Sequence, residues 1–455
     1  MVAGRDEVLA LLERVLGHVD GGSAEALYLG EDSALTRFAT NRIHQNVRQH
    51  DASVQVRVIT DDQVGVASTN RLEEAGLRDV VERATAIARR SAPNPRAAML
   101  PEPDGREADP ELGYVAATAD ADADLRAEGA RAVIAAGQRK RLETSGSYST
   151  AVMTVAAANS LGIRAFHRST RASLLTVMMD GFASGAASGY AHTGAPDVRE
   201  IDAESIGHEA ADKGQRMRGA TVPEAGEYEV VLEEYAVAGL LEYLAYIGFS
   251  GLAYEEGRSF MELGRRVMGE NVRIWDDGTD PSGLPSTIDF EGVPRQRVDL
   301  ISDGVASAIV HDAATAARAG TTSTGHALPA PNLLGPMPMN LFMGGGQTPR
   351  EELITGIERG VWVTRFHYIN PVHPKKAILT GMTKDGTFLI EQGRITRPLM
   401  NFRFTQSIPE AFSDVRAASR ETKLLPGEFF GAYRAPALHL GSFNFTGVTA
   451  AEGGE

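Results

Sequence analysis

The spacing of apolar residues predicts that the first half of the chain combines helices with meanders of short antiparallel strands. Apolar residues recur at helical spacing over four segments, 5–18, 71–91, 122–139 and 202–218. Alternation of apolar and polar residues predicts strands at 25–31, 35–46, 52–60 and 63–69, and again at 142–150, 151–159, 163–169, 172–180 and 188–193. The order of helix, strands and helix therefore occurs twice, on either side of a proline-rich stretch from Pro93 to Pro110.

A second unit begins after the polar stretch at 219–232. Its first element is a predicted helix at 233–247, in which Leu240, Leu241 and Leu244 mark a buried stripe. Strands are then predicted, with Asp-Gly and Gln-Gly steps as tight turns, at 271–278, 303–312, 360–369, 386–399 and 437–447. We therefore predict an α+β fold with two domains. Residues 1–220 form an N-terminal α/β domain of helix and meander repeats, and residues 221–455 form a mostly antiparallel β domain.

Charge and cysteine content narrow the classes of function. The 455 residues include 60 acidic and 45 basic side chains, a formal net charge of −15, which disfavours binding to nucleic acid or anionic lipid. The absence of cysteine excludes disulfides, thiolate nucleophiles and any zinc site with a cysteine ligand. Residues 1–14 predict an amphipathic helix rather than a signal peptide, and no apolar run reaches transmembrane length. We expect a cytoplasmic protein without nucleic-acid or membrane partners.

Two groups of histidines are weak candidates for a metal site. His208 and Glu209 begin like a zinc-binding helix, but the second histidine is missing, so a solvated helix face explains them better. A substitute metal site in the second domain would draw on His311, His326, His367 and His373, with Asp289 or Glu291. Their spacing gives this site little support, and ordinary hydrogen-bonded or exposed histidines are favoured.

Other short motifs are better explained as turns and loops. The segment 275–283 offers oxygen ligands for calcium but lacks the terminal glutamate of an EF-hand, so reversal turns are favoured. The loops 322–327 and 343–349 lack the lysine of a phosphate-binding loop, and Thr348 is a candidate helix N-cap. "GFSG" at 248–251 is one residue short of a serine-hydrolase elbow.

Four ordered segments carry a resemblance to a known family. They are "YEVVLEEYAVAGLL" (228–241), "GRSFMELGRRVMGENVRIWDDGT" (257–279), "STIDFEGVPRQRVDLISDGV" (286–305) and "HDAATAARAGTTSTGHA" (311–327). In order and spacing they resemble the TldD/PmbA family of peptidase-like proteins. The resemblance continues more weakly to residue 395, and the first half has the family's expected layout of helices and strands.

The resemblance implies that this chain has lost the family's zinc site. In the TldD branch a helix carrying HExxxH, with a distant cysteine, holds a catalytic zinc, and a zinc peptidase needs such ligands and a base. Here Glu242 and Ile247 stand at the positions of the two histidines and Tyr243 at that of the base. The position of the cysteine falls near Phe430 and Gly431.

The resemblance further implies a non-catalytic TldE/PmbA-type subunit without a cofactor of its own. Such a chain pairs with a zinc-bearing TldD-type catalytic subunit to form a heterodimer that cleaves unfolded or extended peptides, including peptide precursors. We expect the lining of the substrate chamber to include Glu242, Tyr243, Tyr246, Ile247, Thr324, Gly325 and His326. Two alternatives stay open: a stand-alone homodimeric protein that binds peptides without cleaving them, and a metallopeptidase with a relocated histidine site.

Overall fold

The first sheet is a six-stranded antiparallel meander. The computed structural model describes residues 4–181 and 187–448. Its first elements are α1 (Arg5–Gly17), β1 (Ser23–Ala39), β2 (Arg42–Thr60), β3 (Gln63–Thr69), α2 (Glu74–Ala88), α3 (Ala116–Ala119), α4 (Ala123–Arg139), β4 (Glu143–Asn159), β5 (Arg164–Met179), β6 (Ser188–Ala195) and α5 (Ala203–Arg216). The strand order is β3-β2-β1-β4-β5-β6, so each half of the sheet consists of three consecutive strands and β1 pairs with β4 at the centre.

The strands of this sheet are longer than the sequence pattern predicts. One continuous strand, β4, covers the two strands predicted at 142–150 and 151–159. The strand predicted at 35–46 is wrong, because the chain reverses inside it at Thr40 and Asn41, which have φ angles of 48° and 59°. The reversal at Thr40 and Asn41 contains no glycine or proline, so the alternation of residues gives no hairpin signal there.

Helices cover one face of this sheet. Alternate residues of β1, β2 and β4 point toward α1 and α2, where Tyr28, Val56 and Ala156 join a buried cluster with Leu12 and Leu77. A second cluster lies beneath α4 and α5. The period of two along the strands and of about 3.6 along the helices produces these continuous apolar contacts.

The second sheet has eleven strands among the described residues. Its elements are β7 (Gly226–Leu232), α6 (Glu234–Ile247), α7 (Gly251–Glu255), β8 (Ile274–Asp276), β9 (Val298–Ser302), β10 (Val305–Ala306), α8 (Ala313–Ala319), β11 (Asn340–Met343), β12 (Arg359–His373), β13 (Ile378–Glu391), β14 (Arg394–Pro398), β15 (Phe402–Ser407), α9 (Ile408–Ser413), β16 (Val415–Pro426) and β17 (Ala432–Val448). Most pairs are antiparallel, while β7 with β12 and β11 with β17 are parallel. The prediction of an α+β fold is confirmed.

Some local predictions in this half hold and others are wrong. Gln392–Gly393 and Asp303–Gly304 form tight turns, with positive φ at both residues of each pair. The strand predicted at 303–312 is reduced to β10, because the following residues cross toward α8. Thr348 caps no helix: a short 3₁₀ helix, Arg350–Ile354, begins after Pro349 without a side-chain cap.

The two halves of the chain meet through buried charges. Glu233, just before α6, accepts hydrogen bonds from Lys213 Nζ (2.7 Å), Trp362 Nε1 (2.6 Å) and Thr364 Oγ1 (2.9 Å). Since Lys213 belongs to α5, this cluster joins the last helix of the first half to the second sheet. In the described part of the chain, no helix combines the length and apolar character needed to cross a membrane.

Candidate functional site

The two faces of α6 have different roles. Leu240, Leu244 and Ile247 lie on one face, at spacings of four and three, and are buried in the core of the second sheet. Glu242, Tyr243 and Tyr246 lie toward the other side, where Tyr246 is 43% exposed. The helix therefore supports the core with one face and presents a carboxylate and two phenols with the other.

The carboxylate of Glu242 is held by the backbone of a distant loop. Glu242 Oε1 accepts hydrogen bonds from the N–H groups of Phe429 (2.9 Å) and Phe430 (3.0 Å), and Oε2 accepts one from Glu428 (3.1 Å). Successive N–H groups that converge on one point form an anion-binding nest. Glu242 thus anchors the loop at the position where the resemblance places the family's cysteine.

Two glycines allow this loop to approach α6. Gly427 donates its N–H to the carbonyl of Gly431 (3.0 Å), which closes the loop. A Cβ atom at Gly427 would clash with the carbonyl oxygen of Phe430 and lie 2.8 Å from Glu242 Oε1. Gly431 has a φ of +65°, which residues with a side chain rarely adopt. Glycine is therefore required at both ends of the loop.

A cavity of about 310 Å³ lies between α6, β12 and this loop. Its lining consists of Glu242, Tyr243, Tyr246, Asn370, Pro371, Phe429 and Phe430. Of these, Phe429 is 61% exposed and Glu242 is 7% exposed. The cavity therefore has an aromatic rim open to solvent and a carboxylate at its buried end.

Burial and neighbouring carboxylates set the electrostatics of the cavity. Burial raises the pKa of Glu242, the three backbone N–H groups oppose that shift, and the charge of Glu428 adds to it. Burial also raises the pKa of Tyr243, and the charges of Glu428 and Glu242 raise it further. Tyr243 donates its hydroxyl proton to the carbonyl of Ile369 (2.5 Å), which fixes the ring against β12.

Three of the seven predicted lining residues meet in this cavity, and four do not. Ile247 is 3% exposed and packs in the core. His326 is fully buried, with Nε2 2.9 Å from Asp276 Oδ1 and Nδ1 2.9 Å from Thr324 Oγ1. Gly325 is buried beside them, and Thr324 lies at a separate cavity that includes His311. Ile247 and His326 are therefore corrected to core positions, and a substrate role for the other five residues remains a prediction.

The residues at the family's metal positions do not fit a zinc ion. Three backbone N–H groups take all but one of the acceptor positions of the Glu242 carboxylate. The hydroxyl of Tyr243 is bonded to a carbonyl, and Ile247 offers no ligand atom. No group of three or more histidine, aspartate or glutamate side chains is arranged to hold a metal within residues 4–181 and 187–448.

The other candidate motifs have local structural partners. His311 Nδ1 lies 3.3 Å from Thr315 Oγ1, and His208 Nε2 lies 3.2 Å from Arg139 Nη2. Asp277 accepts the N–H of Thr279 at 2.9 Å, as a reversal turn requires. These contacts give each of these residues a structural explanation.

Sequence reasoning missed four residues of the cavity. Asn370 and Pro371 lie in β12, and Phe429 and Phe430 lie in the loop before β17. The only sequence signal was the alignment of the cysteine position with Phe430 and Gly431. Asn370 and Pro371 lie more than a hundred residues after α6 in the sequence, so periodicity within α6 could not indicate them.

Two family models match the chain. Residues 24–88 match the model described as PmbA/TldA metallopeptidase domain 1, and residues 225–447 match the PmbA/TldA metallopeptidase C-terminal domain. The second match includes α6, the loop at 427–431 and most of the second sheet.

Known proteins and a solved structure resemble the chain over larger regions. A metalloprotease of Methanothermobacter thermautotrophicus is 26% identical, over 62% of this chain and 63% of its own length, which is less than two thirds. The PmbA homologue of Haemophilus influenzae is 24% identical over 69% of this chain and 72% of its own length. The crystal structure of TldE from Thermococcus kodakarensis shares the fold, with a TM-score of 0.86 and 21% identity, over 97% of this chain and all of that one. The chain belongs to the TldD/PmbA family of metallopeptidases, as a TldE/PmbA-type member.

Proposed function

We propose that this chain is the non-catalytic subunit of a heterodimeric zinc peptidase that cleaves unfolded or extended peptides. The observation that supports the proposal is the hydrogen bonding of the Glu242 carboxylate. Its carboxylate stands at a metal-ligand position but accepts three backbone N–H groups of the loop 428–430. A catalytic zinc requires three free protein ligands and an open position for water, so we assign the zinc to a TldD-type partner.

The supporting role follows from the same surface. Tyr246 and Phe429 form an exposed apolar rim of the cavity, next to the position of the family's metal. Tyr368 and Val372 are also exposed and flank Asn370 and Pro371 of the cavity in β12. Patches of this kind are typical of surfaces that contact another protein or a peptide. In the proposed complex this rim closes the partner's chamber and contacts the extended substrate, and the complex acts in the cytoplasm.

Sheet edges give a second means of contact with an extended chain. β3 pairs only with residues 54–60 of β2, so residues 42–53 of β2 have no outer strand among the described residues. An extended peptide can add to such an edge through main-chain hydrogen bonds. The charged and polar side chains along this edge also disfavour indiscriminate pairing.

Co-expression with a candidate partner that carries HExxxH tests the proposal. We expect a stable complex that cleaves an unfolded protein such as reduced casein, with one zinc per heterodimer. We expect the present chain alone to bind no stoichiometric zinc and to cleave nothing. Replacing the glutamate of the partner's HExxxH by glutamine should abolish cleavage without dissociating the complex.

The outcomes separate this function from its alternatives. Zinc-dependent cleavage by this chain alone would contradict the proposal and support a relocated histidine site. A homodimer that binds peptides and ignores the partner would instead identify a stand-alone binding protein. Elemental analysis of the purified chain, before and after substitution of His311 and His326, distinguishes these results.

A further inference from the structure

The buried carboxylate of the cavity beside α6 has only backbone N–H groups as hydrogen-bond partners in the described part of the chain. Glu242 lines the cavity and Glu428 is an exposed neighbour in the loop. The charge of each raises the pKa of Tyr243. The charge of Glu428 also acts on Arg365 and His367, whereas Glu242 has no lysine, arginine or histidine at ion-pair distance among residues 4–181 and 187–448. A buried carboxylate is normally paired with a cation. The three backbone N–H groups bonded to Glu242 neutralise only part of its charge.

The carboxylate has one acceptor position left. An ionised carboxylate accepts about four hydrogen bonds in all. Glu242 Oε1 accepts two backbone N–H groups and Oε2 accepts one. One lone pair of Oε2 therefore remains for a donor that enters the cavity.

The walls of the cavity suit a cation. Four aromatic side chains line it, Tyr243 and Tyr246 from α6 and Phe429 and Phe430 from the loop. Aromatic faces attract cations through the ring quadrupole, and aromatic cages recognise ammonium groups in this way. Pro371 adds an apolar surface along which an alkyl chain can pack. The site therefore combines a carboxylate at the base with rings around it.

We propose that this cavity binds a primary ammonium group of an extended peptide, from a lysine side chain or from the peptide N-terminus. A guanidinium group needs two parallel acceptors for its planar fork, and Glu242 has one free. An ammonium group is a compact charge that needs a single strong acceptor and tolerates rings around it. A metal ion would need several ligand side chains, and no group of three or more histidine, aspartate or glutamate residues is arranged to hold one in the described part of the chain.

The inference rests on the proposed function only in assuming that the ligand is a peptide. Binding to this cavity needs neither the partner nor cleavage. The full chain alone can therefore be tested, and a failure here leaves the heterodimer proposal standing. Conversely, ammonium binding by a chain that forms no heterodimer would support the ammonium site and contradict the proposed peptidase complex.

Calorimetric titration of the full chain with three matched peptides tests the inference. The probes are acetyl-Ala-Lys-Ala-amide, acetyl-Ala-norleucine-Ala-amide, and Ala-Ala-Ala-amide with a free N-terminus. We expect the lysine peptide to bind at least about tenfold more tightly than the norleucine peptide, because a charge-assisted hydrogen bond is lost in the latter. Comparison of the lysine peptide with the free N-terminus identifies the source of the ammonium group.

Variants connect the binding to the cavity. Glu242→Gln keeps a carbonyl oxygen for the loop but removes the charge, and should weaken lysine-peptide binding about tenfold. Tyr246→Leu should weaken it several-fold through the loss of a cation–π contact. Tyr254→Leu is the matched control, because Tyr254 is 39% exposed and lies outside this cavity, and it should leave the affinity unchanged.

Three results would overturn the inference. They are equal binding of the lysine and norleucine peptides, an unchanged affinity in both the Glu242→Gln and Tyr246→Leu variants, and no heat of binding with the native chain up to about 10 mM peptide. The comparison of peptides uses the native chain, so the test remains decisive even where Glu242→Gln disturbs the loop.

Discussion

The carboxylate of Glu242 accepts the backbone N–H of Phe430 at 3.0 Å, although the two residues lie 188 positions apart in the sequence. In relatives with the zinc motif, the resemblance places a histidine and a cysteine at these two positions. Here a hydrogen-bonded carboxylate joins the same two segments. In this chain the contact between helix and loop therefore depends on hydrogen bonds.

Replacing Glu242 by alanine tests the strength of this contact. Three N–H groups lose their acceptor, and we expect the free energy of unfolding to fall by about 2 kcal/mol, since water reaches part of the loop and compensates. Urea denaturation measures the loss, and amide exchange at 428–430 should accelerate. Glu428→Ala, at an exposed position of the same loop, is the control. Equal stability of the two variants would show that the nest contributes little.

The buried acids between the two halves predict a dependence of stability on pH. Arg57 pairs with Glu25 (2.8 Å) and Glu291 (2.9 Å). Burial raises the pKa of Glu291 to about 8, and the charges of Glu25, Asp289 and Asp312 add to the shift while Arg57 opposes it. Burial likewise raises the pKa of Asp289 to about 6.

The sign of the effect follows from these shifts. Both acids bind protons more tightly in the folded state than in the unfolded one, so the stability that they contribute is present at low pH. It is lost as pH rises through about 6 for Asp289 and about 8 for Glu291. Urea midpoints measured between pH about 5 and 9 should show this fall. Glu291→Gln should flatten the curve at its upper end, whereas Glu82→Gln, at an exposed position, should leave its slope unchanged.

Lys213, which connects α5 to the start of α6 through buried ion pairs, is expected to be essential for stability. Lys213 lies 2.7 Å from both Glu209 and Glu233 and is 8% exposed. Lys213→Met leaves the fully buried Glu233 with less compensation, and we expect a loss of about 3 kcal/mol in the free energy of unfolding. Lys140→Met removes a surface pair with Asp212 and should cost less than about 1 kcal/mol. Similar losses in the two variants would contradict a special role for the buried lysine.

The hydroxyl of Tyr243 should contribute to the attachment of α6 to β12. Tyr243→Phe removes its hydrogen bond to the carbonyl of Ile369 and should lower the free energy of unfolding by about 1 kcal/mol. Tyr254→Phe removes an exposed hydroxyl and should change it by less than about 0.5 kcal/mol. Thermal and urea denaturation of the two variants in parallel decide the comparison.

Patterns within a single element were the most reliable guide to the fold. The stripe at Leu240, Leu241 and Leu244 predicted α6 to within one residue of its observed start, and Gln392–Gly393 forms the predicted turn. The same periodicity also indicates that Ile247 is buried. It lies seven residues after Leu240, which returns it to the buried face of the helix. Its burial was therefore predictable from sequence.

Contacts between distant segments could not be predicted in this way. The partner of His326 is Asp276, fifty residues earlier, and nothing in either local pattern connects them. The cavity likewise needs Asn370 and Phe429, which reach α6 only after the second sheet has formed. Such contacts depend on strand order and register, which the alternation of side chains leaves undetermined.

The carboxylate anchor also affects how this fold responds to its surroundings. Where a bound metal joins two segments, their order depends on the free concentration of that metal, through ligand linkage. In this chain, hydrogen bonds between the Glu242 side chain and backbone N–H groups join α6 to the loop 427–431. Chelating agents and metal starvation should therefore leave the attachment of this loop to α6 intact, because no step in forming it consumes a metal ion.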